Sequence, residues 1–335
     1  MSLWADASRG AAVKVLVTDH AEYPHLEQAI IEGEGLDFQF GVRGGVDPTV
    51  RALIVWHRNV NNELVAQFPN LQVVQRYGVG YDNVDLQELE KRRIAFANNP
   101  SYGTSEVADH ALGLLFTGLR GISEYSASLT SAGAEAWQRP LHRLKRLSES
   151  TLGVVGAGRI GSRVARQAQL LGLRVVIYDP YVDTEALGLS GCSQAESLLK
   201  LLSQVDAVSV HVPLTRKTKD LISTQELAAL GATGILVNTS RGGVVNDEQA
   251  MKALRRGSLA FYGTDVLSVE PPDTGGKYWS RCSDLIRAGK LVVTPHVAYY
   301  SSTSYAFMRT FAAQNVLSFL KGESFQHRVP DSQAV

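Results

Sequence analysis

The sequence predicts an α/β fold: two doubly wound parallel-sheet domains with a ligand cleft between them. Three observations lead there. Short β-branched runs alternate with helical patterns along nearly the whole chain, as in parallel sheets wrapped by crossover helices. One of those runs leads into a glycine-rich turn that opens a helix. The 335 residues, 44% apolar, are enough for two well-buried cores.

The first set of strand patterns is Val13–Thr18, Asp37–Val42, Ala52–Trp56, Gln72–Gln75 and Ile94–Ala97. Helical stretches lie between them at His25–Glu32, Asn62–Phe68 and Leu86–Arg92. One long helix is expected from Thr104 through Tyr125, with Val107, Leu114 and Leu115 on one face. The polar stretch Ser128–Ser150 leads into a second set. Its strands are expected at Leu152–Val155, Arg174–Tyr178, Ala207–Val212, Gly234–Asn238, Gly263–Leu267 and Leu291–Thr294. Helices fit between them at Ile160–Leu171, Ala195–Leu202, Thr224–Leu230, Glu248–Arg255 and Trp279–Ala288, and an amphipathic segment, Ser304–Leu320, follows. Six strands with crossovers suit a complete dinucleotide-binding unit of Rossmann type, the larger of the two domains.

Composition narrows the classes. The 33 basic residues balance 33 acidic ones, which argues against general affinity for nucleic acid or anionic membrane. The basic run Arg139–Arg146 reads as a solvated face. No apolar stretch approaches a bilayer span, the N-terminus lacks a signal-peptide pattern, and residues before Lys14 read as a frayed tail. Cys192 and Cys282 have no metal-ligand spacing, so no metal site is expected and a reducing cytoplasm is.

In the glycine turn, Gly156 permits the tight bend and Gly158 lets a pyrophosphate approach the backbone. Gly161 lets the helix pack close. The N–H groups at the helix start then face the phosphates. The next strand ends in Tyr178-Asp179-Pro180, putting a carboxylate where a ribose diol would lie and disfavouring a 2′-phosphate. The cofactor read from this set is NAD.

Three further motifs end strands. Arg241 follows Leu236-Val-Asn-Thr-Ser and precedes two glycines, so its planar fork can meet a carboxylate. Asp265 is read as lying on an apolar strand, where it can accept from the nicotinamide carboxamide or favour an oxidised ring, and Glu270 stands beyond it before two prolines. His296 follows Thr294-Pro295 and is suited to proton transfer near neutral pH. A neighbouring Glu270 would favour its imidazolium.

Together these motifs resemble the D-isomer-specific 2-hydroxyacid dehydrogenase family from about Val13 to Gly322. The matching stretches are Arg76-Tyr-Gly-Val-Gly80-Tyr-Asp-Asn-Val-Asp85, the glycine turn with its Tyr-Asp-Pro, the segment from Asn238 to Ala250, and Thr294-Pro-His. The resemblance implies hydride transfer between NAD(H) and C2 of a small 2-hydroxy or 2-oxo acid such as glyoxylate, hydroxypyruvate or 3-phosphoglycerate. It implies Arg241 as the substrate-polarising residue, His296 as acid/base and Glu270 as its orienting partner. It implies a substrate loop at Tyr77, Gly78, Val79 and Gly80, whose N–H groups hold the carboxylate. Further cofactor contacts are implied at Arg159, Ile160, His211, Val212, Pro213, Thr239, Ser240 and Asp265. It also implies a discontinuous substrate domain, 1–101 with 302–335, around an NAD domain of 102–301, and a homodimer formed through Thr104–Ser150.

Two departures stand out. Pro271–Lys290 is longer and more polar than the family's usual link, and Tyr299 and Tyr300 follow the histidine. Tyr299 is read as lining the substrate side. Tyr299, Tyr300 and the Thr-Ser-Arg-Gly-Gly stretch are similar to the branch containing the C-terminal-binding protein corepressors, so an NAD(H)-sensing binding protein is the second reading. Formate or phosphite oxidation on this scaffold is the third.

Overall fold

The computed structural model describes residues 13–19, 25–137, 140–182, 188–273 and 276–329. The expected N-terminal tail up to residue 12, Arg139 at the head of the basic run, and Thr274 and Gly275 in the polar segment lie outside them. The chain divides into two compact units, Met1–Gly103 with Ser301–Val335, and Thr104–Tyr300.

The first unit holds five parallel strands: β1 (Lys14–Val17), β2 (Asp37–Phe40), β3 (Val50–Val55), β4 (Val73–Arg76) and β5 (Ala95–Ala97), in the order β2-β1-β3-β4-β5. All pairings are parallel, with Lys14 opposite Asp37 and Leu53 opposite Val74. The central strands are buried on both faces, which explains their near-continuous apolar runs. One face packs Leu16, Leu53 and Val55 against Leu64 of α2 (Asn62–Val65) and Leu89 of α3 (Leu86–Lys91). Asn61 and Asp85 cap those two helices through their side chains. α1 (His25–Glu32) and the closing helix of the chain, Ser302–Leu320, pack against each other. Between those two helices Arg309 and Glu27 form an ion pair that is almost wholly shielded from solvent.

The second unit carries a seven-stranded parallel sheet: β6 (Thr151–Val155), β7 (Arg174–Tyr178), β8 (Ser193–Gln194), β9 (Ala207–Val210), β10 (Ile235–Asn238), β11 (Phe261–Thr264) and β12 (Leu291–Val293). Their order is β12-β11-β10-β9-β6-β7-β8, with the reversal between β6 and β9 that marks a dinucleotide crevice. The six expected strands are present. β8 is an addition, an exposed two-residue edge too short to leave a periodic signal. The helices are α4 (Thr104–Leu119), α5 (Ile122–Ala132), α6 (Arg159–Leu170), α7 (Leu198–Leu202), α8 (Thr224–Leu230), α9 (Asp247–Arg256) and α10 (Lys277–Arg287), with the Ser302–Leu320 helix as α11.

Three expectations are corrected. The long helix is two helices, broken at Gly121, whose φ of 61° is left-handed and where a Cβ would stand 2.6 Å from Leu141 Cδ1. Its buried face centres on Ala108, Ala111 and Leu115, with Val107 only half-buried. β11 runs two residues earlier than expected and ends at Thr264, leaving Asp265 beyond the strand. The reason lies next door: β12 ends before Pro295, which has no N–H to continue a ladder, and the last register pair is Thr264 with Val293. α7 starts at Leu198 rather than Ala195 because the Ser197 hydroxyl caps it on Lys200 N.

Candidate active site

β6 is buried throughout and delivers the chain to Gly156, whose φ of 91° is left-handed. A Cβ there would stand 2.8 Å from both His211 O and Val212 Cγ1, so only glycine lets the turn pass under β9. A Cβ on Gly161 would fall 1.9 Å from Gly156 O. The helix start can therefore lie directly on the turn. At Gly158 a Cβ would meet nothing within 4 Å, which leaves an open approach to the backbone. No side chain caps α6, so its first N–H groups, at Arg159 and Ile160, remain for an anion.

Asp179 stands just past β7 and accepts from Ala157 N (2.8 Å) and Tyr181 N (2.9 Å). It thus braces the glycine turn and shapes its own turn before Tyr181. His211 N donates to Val155 O, and burial pushes its imidazole down to about 4, beside the Ser209 hydroxyl at 2.8 Å. Pro213 follows at the exposed end of the same loop, with its carbonyl accepting from Thr218 Oγ1. After β10, Ser240 donates through N and Oγ to Asn238 Oδ1, while Asn238 Nδ2 donates to Arg241 O. Thr239 Oγ1 is buried without a hydrogen-bond partner among the described residues. An open glycine cradle, an uncapped helix start and an orphaned hydroxyl fit a dinucleotide.

Arg241, Glu270 and His296 come together beyond the ends of β10, β11 and β12. His296 Nδ1 and Glu270 Oε2 are 2.7 Å apart, which leaves Nε2 as the ring atom available for proton transfer. The other carboxylate oxygen accepts from Leu267 N at 2.6 Å. Burial opposes ionisation of Glu270, yet the His296 bond, the Leu267 N–H and the Arg241 charge hold its carboxyl below the usual range. Arg241 keeps extended backbone and donates through Nη1 to Ser240 O at 2.8 Å.

His296 has φ 55°, a left-handed conformation uncommon outside glycine. Asp265 stabilises it. The Asp265 carbonyl accepts from His296 N, and its buried carboxylate accepts from Thr294 Oγ1 (2.6 Å), Val297 N (2.9 Å) and Ala298 N (2.8 Å). His110 Nε2 lies 2.9 Å from Thr294 Oγ1. Asp265 is therefore an anchor of the His296 turn. Asn238, Thr294, His110 and Asp247 were missed in the sequence. Asn238 and Asp247 sit inside the Asn-Thr-Ser-Arg-Gly-Gly-Val-Val-Asn-Asp stretch, and Asp247 acts through contacts across the fold that no local pattern signals. Tyr299 is half-buried just after Ala298, and Tyr300 is exposed.

The loop Tyr77–Gly80 belongs to the first unit. Tyr77 is held within that unit: its N–H donates to Val55 O, and its buried hydroxyl donates to Glu27 Oε1 at 2.6 Å. Arg309 Nε meets the same oxygen at 2.7 Å, and Arg309 Nη2 binds Glu27 Oε2. For Gly78, Val79 and Gly80, no acceptor among the described residues takes the N–H. Their carbonyl side is tied down, with Asn99 N on Gly78 O and Asn98 Nδ2 on Val79 O. The loop thus presents three N–H groups from a braced backbone.

Residues 112–298 match the family described as D-isomer specific 2-hydroxyacid dehydrogenase, NAD binding domain. The glyoxylate reductase of Korarchaeum cryptofilum is 36% identical over 79% of this chain and 77% of that protein. The D-3-phosphoglycerate dehydrogenase of Mycobacterium leprae is 35% identical over 85% of this chain, which spans 51% of that longer protein. Among solved structures, the D-lactate dehydrogenase of Aquifex aeolicus, complexed with NAD and lactic acid, superposes with a TM-score of 0.81 at 27% identity. It covers 92% of this chain and 96% of its own.

Proposed function

The chain belongs to the D-isomer-specific 2-hydroxyacid dehydrogenase family, and from that premise we propose that Arg241, Glu270 and His296 interconvert a small 2-oxo acid, glyoxylate foremost, and its 2-hydroxy acid. The chain is an NAD-dependent oxidoreductase acting on a CH–OH group. The Glu270–His296 pair at 2.7 Å, with the Arg241 charge acting on the same carboxylate, carries the assignment of roles.

NAD(H), when bound, supplies or takes up the hydride at C2 of the substrate. The glycine turn with Arg159 and Ile160 would hold its pyrophosphate. Asp179 would take the ribose hydroxyls, and His211, Val212, Pro213, Thr239 and Ser240 would line the rest of its path. In reduction, Arg241 binds the substrate carboxylate and polarises the ketone, drawing electron density from C2. His296 donates its Nε2 proton to the ketone oxygen as C2 gains the hydride. Glu270 holds the ring by Nδ1 and stabilises the charged imidazolium beforehand. Oxidation runs the same steps backward, with neutral His296 accepting the hydroxyl proton. Gly78, Val79 and Gly80 form the carboxylate nest of a substrate domain, and Tyr299 lines the substrate side.

The finer assignments follow the same family logic. A homodimer through Thr104–Ser150 is supported by α5, which buries none of its residues while leaving Ile122 and Leu129 exposed, and by exposed Trp137 nearby. Two unpaired cysteines fit a reducing cytoplasm.

The decisive experiment follows NADH absorbance with a panel of 2-oxo acids, using parent and Arg241→Ala proteins. Turnover of glyoxylate that collapses in Arg241→Ala while NADH affinity persists supports the reading. No turnover of any 2-oxo acid by a protein that binds NADH overturns it in favour of a sensor.

A further inference from the structure

The polar segment after Glu270 carries α10, which returns a side chain to the loop that carries Glu270. Tyr278, on the first turn of α10, donates its hydroxyl to Asp247 Oδ2 at 2.7 Å. The same oxygen accepts Ser268 N at 2.7 Å, and Asp247 Oδ1 lies 3.3 Å from the Tyr262 hydroxyl. Asp247 is buried at the first turn of α9, so its carboxylate stands where helix N–H groups favour negative charge. Burial is the largest influence on it and raises its carboxyl, while these hydrogen bonds pull the other way. Burial beside Asp247 likewise raises the Tyr278 hydroxyl, so it stays a donor.

The held Ser268 is flanked by Leu267, whose N–H grips Glu270 Oε1. On the other side of Leu267 lies the arginine loop: a Cβ on Gly242 would come within 2.0 Å of Leu267 C and O. Leu267–Ser268 is thus fixed from below by Asp247, from the side by the backbone after Arg241, and outward through Glu270 to His296. The charged and titratable groups facing this assembly are His296 and Arg241 at Glu270, and Tyr262, Tyr278 and Cys282 around Asp247.

We infer that Tyr278 is a positioning residue for the acid–base pair, locking Asp247 onto Ser268 N so that Glu270 spans Leu267 N–H and His296 Nδ1. This rests on the proposed roles of Glu270 and His296. Without the Tyr278 hydroxyl, Asp247 Oδ2 loses one of its two close donors and the Val266–Glu270 turn gains freedom. Glu270 then drifts from His296, and the ring loses its preferred orientation.

The test is Tyr278→Phe in the full chain, which removes one oxygen from a half-buried ring and preserves its packing. With glyoxylate, kcat should fall roughly tenfold, the scale of a sub-ångström misplacement, while KM and NADH affinity stay within about twofold. A second readout needs no turnover: nitrogen NMR of histidine-labelled protein, with His296→Ala to assign the signal, reports the ring tautomer. The Nδ1–H form should dominate in the parent, and the Nε2–H form should grow in Tyr278→Phe. A parent-like kcat and a parent-like tautomer overturn the inference, as does a lower melting temperature with both unmoved, since that marks a merely structural tyrosine. If the parent reduces no 2-oxo acid, the functional reading fails, and the tautomer still decides the positioning role.

Discussion

Replacing Glu270 with Gln removes the carboxylate's charge together with one of the two acceptors it uses. Gln keeps the reach and one oxygen for His296 Nδ1, but its other end becomes an NH2 group facing the Leu267 N–H, and the negative charge disappears. The pair is 2.7 Å apart, with about a third of each side chain exposed, 34% for Glu270 and 39% for His296. Two unit charges about 4 Å apart interact by roughly 1 kcal/mol in water and about 4 kcal/mol at an effective dielectric near 20. Solvent access pulls the value toward the lower end, to about 1–2 kcal/mol. Losing that attraction and the second acceptor should lower kcat/KM for glyoxylate reduction by at least roughly tenfold in Glu270→Gln, with NADH affinity within about twofold of the parent's. The pH sign comes from Glu270 itself. Its carboxyl is held below the usual range, so its charge persists into acid and is lost only as pH falls through that lowered value. The ratio of parent to variant rates should therefore be flat near neutral pH and narrow at the acid end, where the parent's carboxylate takes up a proton. Rates of both proteins against pH are the assay. A variant with parent-like kcat/KM, or a ratio that does not narrow in acid, would refute the reasoning, because the carboxylate charge would then not act on the reaction.

Asp179→Ala should weaken NADH roughly tenfold and narrow the preference over NADPH, measured by fluorescence titration with both cofactors. Weaker NADH with unchanged preference would leave Asp179 only as the brace on Ala157 N. Gly161→Ala pushes a methyl to 1.9 Å from Gly156 O, so it should cost about 1–3 kcal/mol in denaturant melts and abolish NADH binding. Parent-like binding would show that the turn has room the packing denies. Arg309→Met strands the buried Glu27 carboxylate and should cost about 3–5 kcal/mol, while Glu27→Leu/Arg309→Met should recover only part of it, because the buried Tyr77 hydroxyl then lacks its acceptor at a cost of about 1–3 kcal/mol. A harmless single variant would mean that the pair is not shielded as its burial indicates.

Much of this was legible in the sequence because it depends on local chemistry. Parallel strands buried on both faces must be continuous apolar runs, so the sheets could be read as runs. A turn packed this closely needs glycine, which Gly156 and Gly161 supply, while Gly158 keeps the backbone between them open, so the dinucleotide crevice could be read from the motif. Arg241, Glu270 and His296 could be singled out as residues standing at or just beyond strand ends. What the sequence could not disclose were the long-range contacts. Asp265 read as a strand residue aimed at the cofactor, because nothing local says that its carboxylate meets N–H groups more than thirty residues away at Val297 and Ala298. Tyr77 read as part of a binding loop, yet Glu27 and Arg309, brought together by packing of the first and last helices, claim its side chain. Tyr278 lies just before the helix expected at Trp279–Ala288, in a segment read as long and polar, and nothing local says that its hydroxyl meets Asp247. Periodicity and turn chemistry are properties of neighbours along the chain, and the sequence determines them alone. Which carboxylate meets which donor depends on how helices and strand ends pack, and only the tertiary structure decides that.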